Sequence, residues 1–482
     1  MAVNQEIPDK QRVLILQGGG ALGAYQVGAI KALVDGRSGI NGKSKEVNRP
    51  LFDIVAGTSI GAINAAILIS YLMDHTNDWK GAYEKLEKFW NYISFDTSNA
   101  VDSDIRWWES YHKNDENAAS VEAARRYYSA KYFLKNGTPH VFSKPEFKED
   151  DKFFDYSISL PNNQWYLYDN EQLEKTISDS RFAKFPIKTT KKQPRLLIVS
   201  TDVEDGATVT FDSHSQESEY GRINKRTGVY RGRTIRYNKG IEVSHVMASA
   251  CIPLFYKYEE IQGRKFWDGG ILSNTPLRQV LHMHRQYWFK EMREENPERK
   301  VPNLEVYIIG IWPSSSNNSI EDEVTNNRLN EEKIPSDFDG LKAKLYDINL
   351  SDKTEYDEKS AVMVSDLIDI IEKICKNLVP KYMNDNKQVE FETELKEFLK
   401  NNYAKSQGRN GDRRTYESIL NGRFKIQKVV RIELREDSND ISNKAFDLSS
   451  STVEKLITQG ENDTKDILER LKEKDNNKEY NQ

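Results

Sequence analysis

The chain has little cysteine and no long apolar run, and both absences limit what it can be. Its 482 residues include two cysteines, Cys251 and Cys375, far apart and without a Cys-x-x-Cys pair. This argues against a disulfide framework and a thiolate metal site. The longest apolar stretch, Ala62 to Met73, contains Asn64 and Ser70 and is shorter than the roughly 20 apolar residues that cross a bilayer. We therefore expect a buried helix there and no transmembrane segment.

A strong positive charge and a secretory leader are also lacking. The net charge is −5, whereas nucleic-acid-binding domains are usually strongly basic. The first twelve residues carry Glu6, Asp9 and Lys10 and lead directly into a strand-like run, without the apolar core of a signal peptide. We therefore expect a cytoplasmic protein that meets membranes only peripherally and has no nucleic-acid partner. The sequence does not indicate its oligomeric state.

Two strand–loop–helix units in series open the chain. The run 13–16 is followed by three glycines and a segment of helical spacing, and the run 51–56 is followed by a second glycine-rich turn and an apolar helix. Continuous apolar runs at 195–201 and 306–312 predict further buried strands. Such units imply parallel strands covered by helices. The predicted fold class is therefore α/β, with a mostly parallel sheet.

Ser59 is the candidate nucleophile. It is the central residue of Gly57-Thr58-Ser59-Ile60-Gly61, between the second apolar run and the apolar helix. Gly-x-Ser-x-Gly at a strand-to-helix turn is a nucleophile elbow, which lifts the serine Oγ above the sheet, and Gly57 and Gly61 leave room for the backbone. The bare motif arises by chance in about one chain of this length in ten. The flanking strand and helix favour the catalytic interpretation over a plain turn.

The first glycine run, Gly18-Gly19-Gly20, is a candidate oxyanion hole. Successive backbone N–H groups before a helix N-terminus bind anions, and missing side chains allow a carbonyl to approach. The rival interpretation is a dinucleotide site, because Gly18, Gly20 and Gly23 match Gly-x-Gly-x-x-Gly. That fingerprint expects an acidic residue at the end of the second strand, which here ends in Gly57-Thr58-Ser59.

Asp268 is the candidate general base. It stands in Phe266-Trp267-Asp268-Gly269-Gly270, between an apolar run and a glycine pair, and an ordinary Asp-Gly turn is the alternative. A histidine base is formally available, since His282 and His284 follow Asp268. They lie on a predicted helix, where residues two apart point in different directions, so we expect surface or packing roles for them.

Four blocks together resemble the patatin-like phospholipases, and they occur in the order of that family. These are Gly18-Gly19-Gly20-Ala21-Leu22-Gly23-Ala24-Tyr25, Gly57-Thr58-Ser59-Ile60-Gly61-Ala62, the block 248–255 (Ala-Ser-Ala-Cys-Ile-Pro-Leu-Phe), and Asp268-Gly269-Gly270 with Asn274-Thr275-Pro276-Leu277. The resemblance implies a three-layer, modified α/β-hydrolase sandwich that cleaves acyl esters of glycerolipids. It also implies a Ser59–Asp268 dyad without histidine, oxyanion amides from Gly19 and Gly20 within the loop that runs to Gly23, and no metal or cofactor.

The resemblance and the sequence pattern together set the expected domain organisation. The resemblance covers residues 12–313, the expected acyl hydrolase domain, and a polar, aromatic-rich texture predicts a helical insertion at 79–168. Helical spacing predicts a mostly helical C-terminal extension, 314–482, and alternating apolar residues predict one strand near 424–434. One departure is Leu22, because many members carry Arg or Lys just before the last glycine of the first block. The alternatives are a catalytically silent scaffold or binding protein with this fold and an esterase that uses a histidine base.

Overall fold

A single eight-stranded sheet organises the structure, a computed structural model that describes residues 7–36, 49–113, 120–144, 166–223, 230–292, 300–312, 337–382, 385–407, 413–434 and 439–480. The strands are β1 (Lys10–Leu16), β2 (Ile54–Thr58), β3 (Arg195–Asp202), β4 (Ala207–Asp212), β5 (Glu217–Ile223), β6 (Tyr230–Arg236), β7 (Glu259–Ile261), β8 (Arg264–Asp268), β9 (Asn303–Gly310), β10 (Tyr403–Gln407), β11 (Arg413–Thr415) and β12 (Ile426–Glu433). The order in the main sheet is β12-β9-β1-β2-β3-β8-β7, and β4 pairs with β3. Strands β12, β9, β1, β2 and β3 run parallel, whereas β4, β7 and β8 pair antiparallel.

The ends of β2 and β8 meet beside β3. Strand β4 occupies one edge of β3 from Leu197 to Asp202, so β2 and β8 share the other edge. On that edge Thr58, the last residue of β2, pairs with Val199, and Asp268, the last residue of β8, pairs with Ser200. The two strands therefore approach each other end to end, and the residues that follow Thr58 lie next to Asp268.

Helices cover both faces of the sheet. They are α1 (Ala24–Asp35), α2 (Ile60–Asp74), α3 (Trp79–Ile93), α4 (Ser98–His112), α5 (Val121–Asn136), α6 (Glu171–Ser178), α7 (Val243–Ala250), α8 (Gly270–Ser273), α9 (Leu277–Gln286), α10 (Phe338–Leu350), α11 (Glu355–Lys373), α12 (Asp385–Asn401), α13 (Tyr416–Asn421) and α14 (Ser450–Tyr480). Successive residues of β1 alternate between two cores, as the pleat requires. Leu14 and Leu16 pack with α1, α2, α3 and α14, and Val13 and Ile15 pack with α9. This three-layer α/β arrangement confirms the predicted fold class.

The C-terminal region is part of this architecture. Strand β12 extends the sheet beyond β9 in parallel, and α14 packs along α1 so closely that a Cβ on Gly28 would overlap the Ile457 carbonyl oxygen and one on Gly460 would overlap that of Tyr25. The predicted strand near 424–434 is β12. The expectation of one strand is wrong, because β10 and β11 pair as a hairpin; their short, charged runs lack the apolar alternation that identified β12. The domain boundary at residue 313 stays a prediction.

The aromatic-rich insertion divides into a core part and an exposed part. In α3 the rings of Trp79, Phe89 and Trp90 are buried in the main core, whereas Trp107 and Tyr111 on α4 are exposed. Residues 114–119 and 145–165 of the insertion lie outside the described residues. Among the helices that are described, none is long and apolar enough to span a bilayer.

Candidate active site

Ser59 occupies a strained turn between β2 and α2. Its backbone φ is +56° and its ψ is −127°, a conformation that residues with a side chain rarely adopt and that concentrates at functional sites. There is no space for a side chain two residues before or after Ser59. A Cβ on Gly57 would overlap the Gly61 carbonyl oxygen, and a Cβ on Gly61 would overlap the Leu16 carbonyl oxygen. The elbow therefore requires glycine at both positions.

Ser249 on α7 holds the backbone of this turn. Its hydroxyl accepts a hydrogen bond from the Ser59 amide at 2.9 Å and donates one to the Val199 carbonyl at 2.5 Å. Ser249 is fully buried, so its hydroxyl could not turn to water instead. The strained turn is thereby tied to β3, the strand against which β2 and β8 both end.

Asp268 lies beside Ser59 and is almost completely buried. Its amide donates to the Cys251 carbonyl at 2.9 Å, and its Oδ1 accepts from the Gly270 amide at 2.7 Å. Burial raises the pKa of Asp268 to about 6, although hydrogen bonds from the Ser59 hydroxyl and the Gly270 amide act in the opposite direction. A carboxylate with this pKa is ionised at neutral pH and is a stronger base than an exposed aspartate.

The glycine loop contacts Ser59 through Gly18. A Cβ on Gly18 would be 2.8 Å from the Ser59 Cβ, and the Gly18 amide donates to the Asn274 carbonyl at 3.3 Å. Within the described part of the chain, the amides of Gly19 and Gly20 have no hydrogen-bond acceptor. Gly20, with φ +57°, opens a 3₁₀ turn that runs to Gly23 and leads into α1. Two free amides at a helix entrance thus directly follow Gly18, the loop residue that contacts the serine.

A buried polar network holds Gln17, the residue that directly precedes the glycine loop. The Gln17 side chain accepts from the amides of Ile311 and Trp312 at 2.6 and 3.0 Å. The Gln17 carbonyl accepts from the Gln26 side chain at 2.7 Å, and Asn64 donates to Gln26 at 2.8 Å. Buried amides that satisfy one another in this way fix the start of the glycine loop relative to α1 and α2.

The remaining predicted residues have other contacts. A Cβ on Gly23 would overlap Ile60, and one on Gly269 would overlap the Val199 carbonyl oxygen, so both glycines allow close packing around the elbow. His284 is fully buried, with Nε2 2.8 Å from the Pro302 carbonyl. His282 lines a cavity of about 990 Å³ between β4, β5 and α9, and neither Ser59 nor Asp268 lines that cavity.

Basic side chains lie near Leu22, the position at which the first block departs from the family pattern. Leu22, Arg126 and Lys444 together line a small cavity of about 50 Å³. Both cations come from elements far away in the chain, α5 and the segment before α14. Sequence inspection of the first block could not have revealed them.

Three contacts of the site were not predicted. The hydroxyl of Ser249 and the side chain of Asn274 lie in blocks that carry the family resemblance, but no role followed from the sequence. The indole of Trp312 donates to the Gly18 carbonyl at 2.8 Å, and it carries no sequence signal beyond ending an apolar run. Among the described residues, no cluster of three or more His, Cys, Asp or Glu side chains could hold a metal ion.

A comparison with protein-family models identifies the family of the chain. A family model described as patatin-like phospholipase matches residues 14–281, which is more than half of the chain. The chain belongs to the patatin-like phospholipase family. Membership supports lipid acyl hydrolase activity in general, and the matched range contains Ser59, Asp268 and the glycine loop.

More distant comparisons add little. A comparison with curated proteins gave no match. The crystal structure of VipD from Legionella pneumophila is similar at 11% sequence identity and a TM-score of 0.30, over 96% of this chain and 67% of that one. A TM-score this low says nothing about the site.

Proposed function

We propose that the protein is a serine hydrolase that cleaves fatty-acyl esters of glycerolipids through a Ser59–Asp268 dyad. The observation that carries the proposal is the proximity of the Ser59 hydroxyl to the buried Asp268 carboxylate, whose pKa this hydroxyl lowers, at the point where β2 and β8 meet. Family membership supports the substrate class. The free amides of Gly19 and Gly20, in the loop that contacts Ser59 through Gly18, would supply the third component that an acyl transfer needs.

The reaction proceeds in two halves. Ser59 Oγ attacks the acyl carbonyl carbon while its proton passes to the Asp268 carboxylate, and the resulting oxyanion accepts hydrogen bonds from Gly19 and Gly20. The tetrahedral intermediate collapses, the ester C–O bond breaks, and Asp268 returns the proton to the departing alcohol. A water molecule then attacks the acyl carbon while its proton passes to Asp268. The bond between the acyl carbon and Ser59 Oγ breaks, Asp268 returns the proton to Ser59 Oγ, and the fatty acid is released.

Lipid profiling tests this function. The protein is incubated with a mixture of phospholipids that differ in head group and acyl chain, and fatty acids and lysolipids are measured by mass spectrometry. We expect both products to accumulate with wild-type protein and not with Ser59→Ala. A folded wild-type protein that releases neither product from any lipid would contradict the proposal and favour a catalytically silent scaffold.

We further propose that α8 contacts the membrane surface. Ile271 and Leu272 are about half exposed, and they directly follow Asp268-Gly269-Gly270. Apolar side chains on a short helix beside a lipid-hydrolysing site can enter the headgroup region and bring the dyad to its substrate. The cytoplasmic location stays a prediction.

The α8 contact predicts a selective defect. Ile271→Ser with Leu272→Ser should lower hydrolysis of phospholipid vesicles about tenfold, because roughly 1–2 kcal/mol of apolar burial is lost. Cleavage of a soluble short-chain ester should remain within about twofold. Val389→Ser, which removes an exposed side chain of α12, is the matched control and should change neither rate. Equal losses on vesicles and soluble ester would exclude a membrane role for α8.

A further inference from the structure

Residues beyond the family model contact the glycine loop at two points and the side chains of two residues next to it at a third. The Trp312 indole donates to the Gly18 carbonyl at 2.8 Å. The Leu350 carbonyl, at the end of α10, accepts from the Gln17 side chain at 3.1 Å and the Asn274 side chain at 2.7 Å. The Ala445 carbonyl oxygen lies 2.4 Å from the position that a Cβ on Gly20 would have. The loop that bears the two free amides therefore packs against chain segments from residue 312 onward.

One buried lysine connects these three segments. Lys444 is only 3% exposed, and its Nζ is 2.7 Å from Asp347 Oδ1 and 2.5 Å from Asp440 Oδ2. The same Nζ lies 5.2 Å from the centre of the Trp312 ring, within the range of a cation–π contact. Asp347 belongs to α10, whose last residue is Leu350, and Lys444 directly precedes Ala445. A single ammonium group thus holds Trp312, α10 and Ala445 in place.

A buried ionic cluster is an expensive way to stabilise a fold. The free-energy cost of removing the charges from water usually offsets their mutual attraction. An apolar core of similar volume is often at least as stable. Fixed geometry is what such a cluster provides, and oxyanion donors require it, since a displacement of about 1 Å can lower a rate about 100-fold. The position of this cluster behind the glycine loop is consistent with that use.

We infer that Lys444 is a positioning residue for the oxyanion amides, acting through Trp312 and Ala445, and that the segment after the family model completes the active site. This inference rests on the proposed function, because it assigns a task in the same acyl transfer. It also gives the C-terminal region a role that the sequence did not indicate.

The test uses full-length protein and a soluble short-chain ester. Lys444→Met removes the ammonium, and Trp312→Phe removes the indole N–H together with one of the two fused rings while it keeps an aromatic ring. Lys465→Met is the control, since Lys465 is an exposed partner of Glu461 on α14. For each variant we would measure kcat, KM and the inhibition constant of a trifluoromethyl ketone. The serine adds to this ketone and an oxyanion forms. The isosteric amide forms no oxyanion, and its inhibition constant is measured in parallel.

We expect Lys444→Met and Trp312→Phe to lower kcat about 10- to 100-fold, with KM within about threefold. The ketone should bind weaker by a similar factor and the amide unchanged, a split that loss of general stability would not produce. If Lys444→Met does not fold, the kcat and the ketone inhibition constant of Trp312→Phe test the inference. Wild-type kcat in folded Lys444→Met, or in Trp312→Phe, would overturn the inference alone. An inactive wild-type protein that does not bind the ketone would overturn the proposed function and the inference together.

Discussion

Replacing Ser59 by alanine should lower ester cleavage at least about 10⁴-fold, because no acyl-enzyme can form and the oxyanion amides alone retain only a small part of the acceleration. The variant should still fold, since alanine keeps the Cβ and the amide that donates to Ser249. Initial rates with a soluble ester and with phospholipid vesicles measure the loss.

Ser110→Ala is the control for this prediction, because Ser110 lies on α4 and its hydroxyl bonds only to the Trp107 carbonyl among the described residues. It should retain the wild-type rate. If Ser59→Ala keeps more than a tenth of the activity, another residue is the nucleophile, and the geometry at the end of β2 has been misinterpreted.

Replacing Asp268 by asparagine should lower kcat about 10³- to 10⁵-fold with little change in KM. Asparagine fills the same space and can accept from the Gly270 amide, but it cannot take the Ser59 proton. Rates at saturating ester across pH 5–9 measure the effect. A variant that retains activity and still titrates near pH 6 would indicate a histidine base instead.

The same substitution should make the protein more stable at alkaline pH. The folded-state pKa of Asp268 is raised from 3.8 to about 6 by burial, so between these values the folded chain binds more protons than the unfolded chain. The stabilisation from the protonated form is complete below about pH 4 and is lost as pH rises through about 6. At pH 8 Asp268→Asn should therefore raise the free energy of unfolding by roughly 1–3 kcal/mol.

Denaturant unfolding at pH 8 and pH 5 checks the direction of this effect. The gain from Asp268→Asn should be larger at pH 8 than at pH 5, because the wild-type carboxylate is fully ionised only at the higher pH. A variant that is less stable than wild type at pH 8 would contradict this prediction. It would show that hydrogen bonds stabilise the ionised carboxylate by more than burial destabilises it.

Local features of the site could be read from the sequence because they depend on a few adjacent residues. The turn at Ser59 needs glycine on either side, and Gly57-x-Ser59-x-Gly61 shows this directly. The glycine loop is equally local, since Gly18, Gly19 and Gly20 follow a strand and precede a helix. The chemistry of these segments was therefore apparent before their positions were known.

The pairing of Ser59 with Asp268 could not be derived in this way. It depends on the register of β3, where Val199 pairs with Thr58 and Ser200 pairs with Asp268. Strand register over such separations leaves no pattern in either segment, so only the family resemblance brought the two residues together in advance.

The contacts of Lys444 also could not be predicted from the local sequence. A lysine beside Ala445 in a polar segment resembles any solvated residue, and nothing in the local sequence indicates that Asp347 and Asp440 meet it in the interior. The interpretation of the C-terminal region as an appendage failed to anticipate these contacts for the same reason. Alternation identified β12 as a strand but not β9 as its neighbour.

Labelling with a fluorophosphonate probe at a series of pH values tests the central claim most directly. The probe reacts only with an activated serine, and peptide mass spectrometry locates the adduct. We predict an adduct on Ser59, with a labelling rate that rises through about pH 6, the pKa of Asp268, and that falls at least about 100-fold in Asp268→Asn. An adduct on another residue, or equally fast labelling of Ser59 in Asp268→Asn, would contradict the dyad.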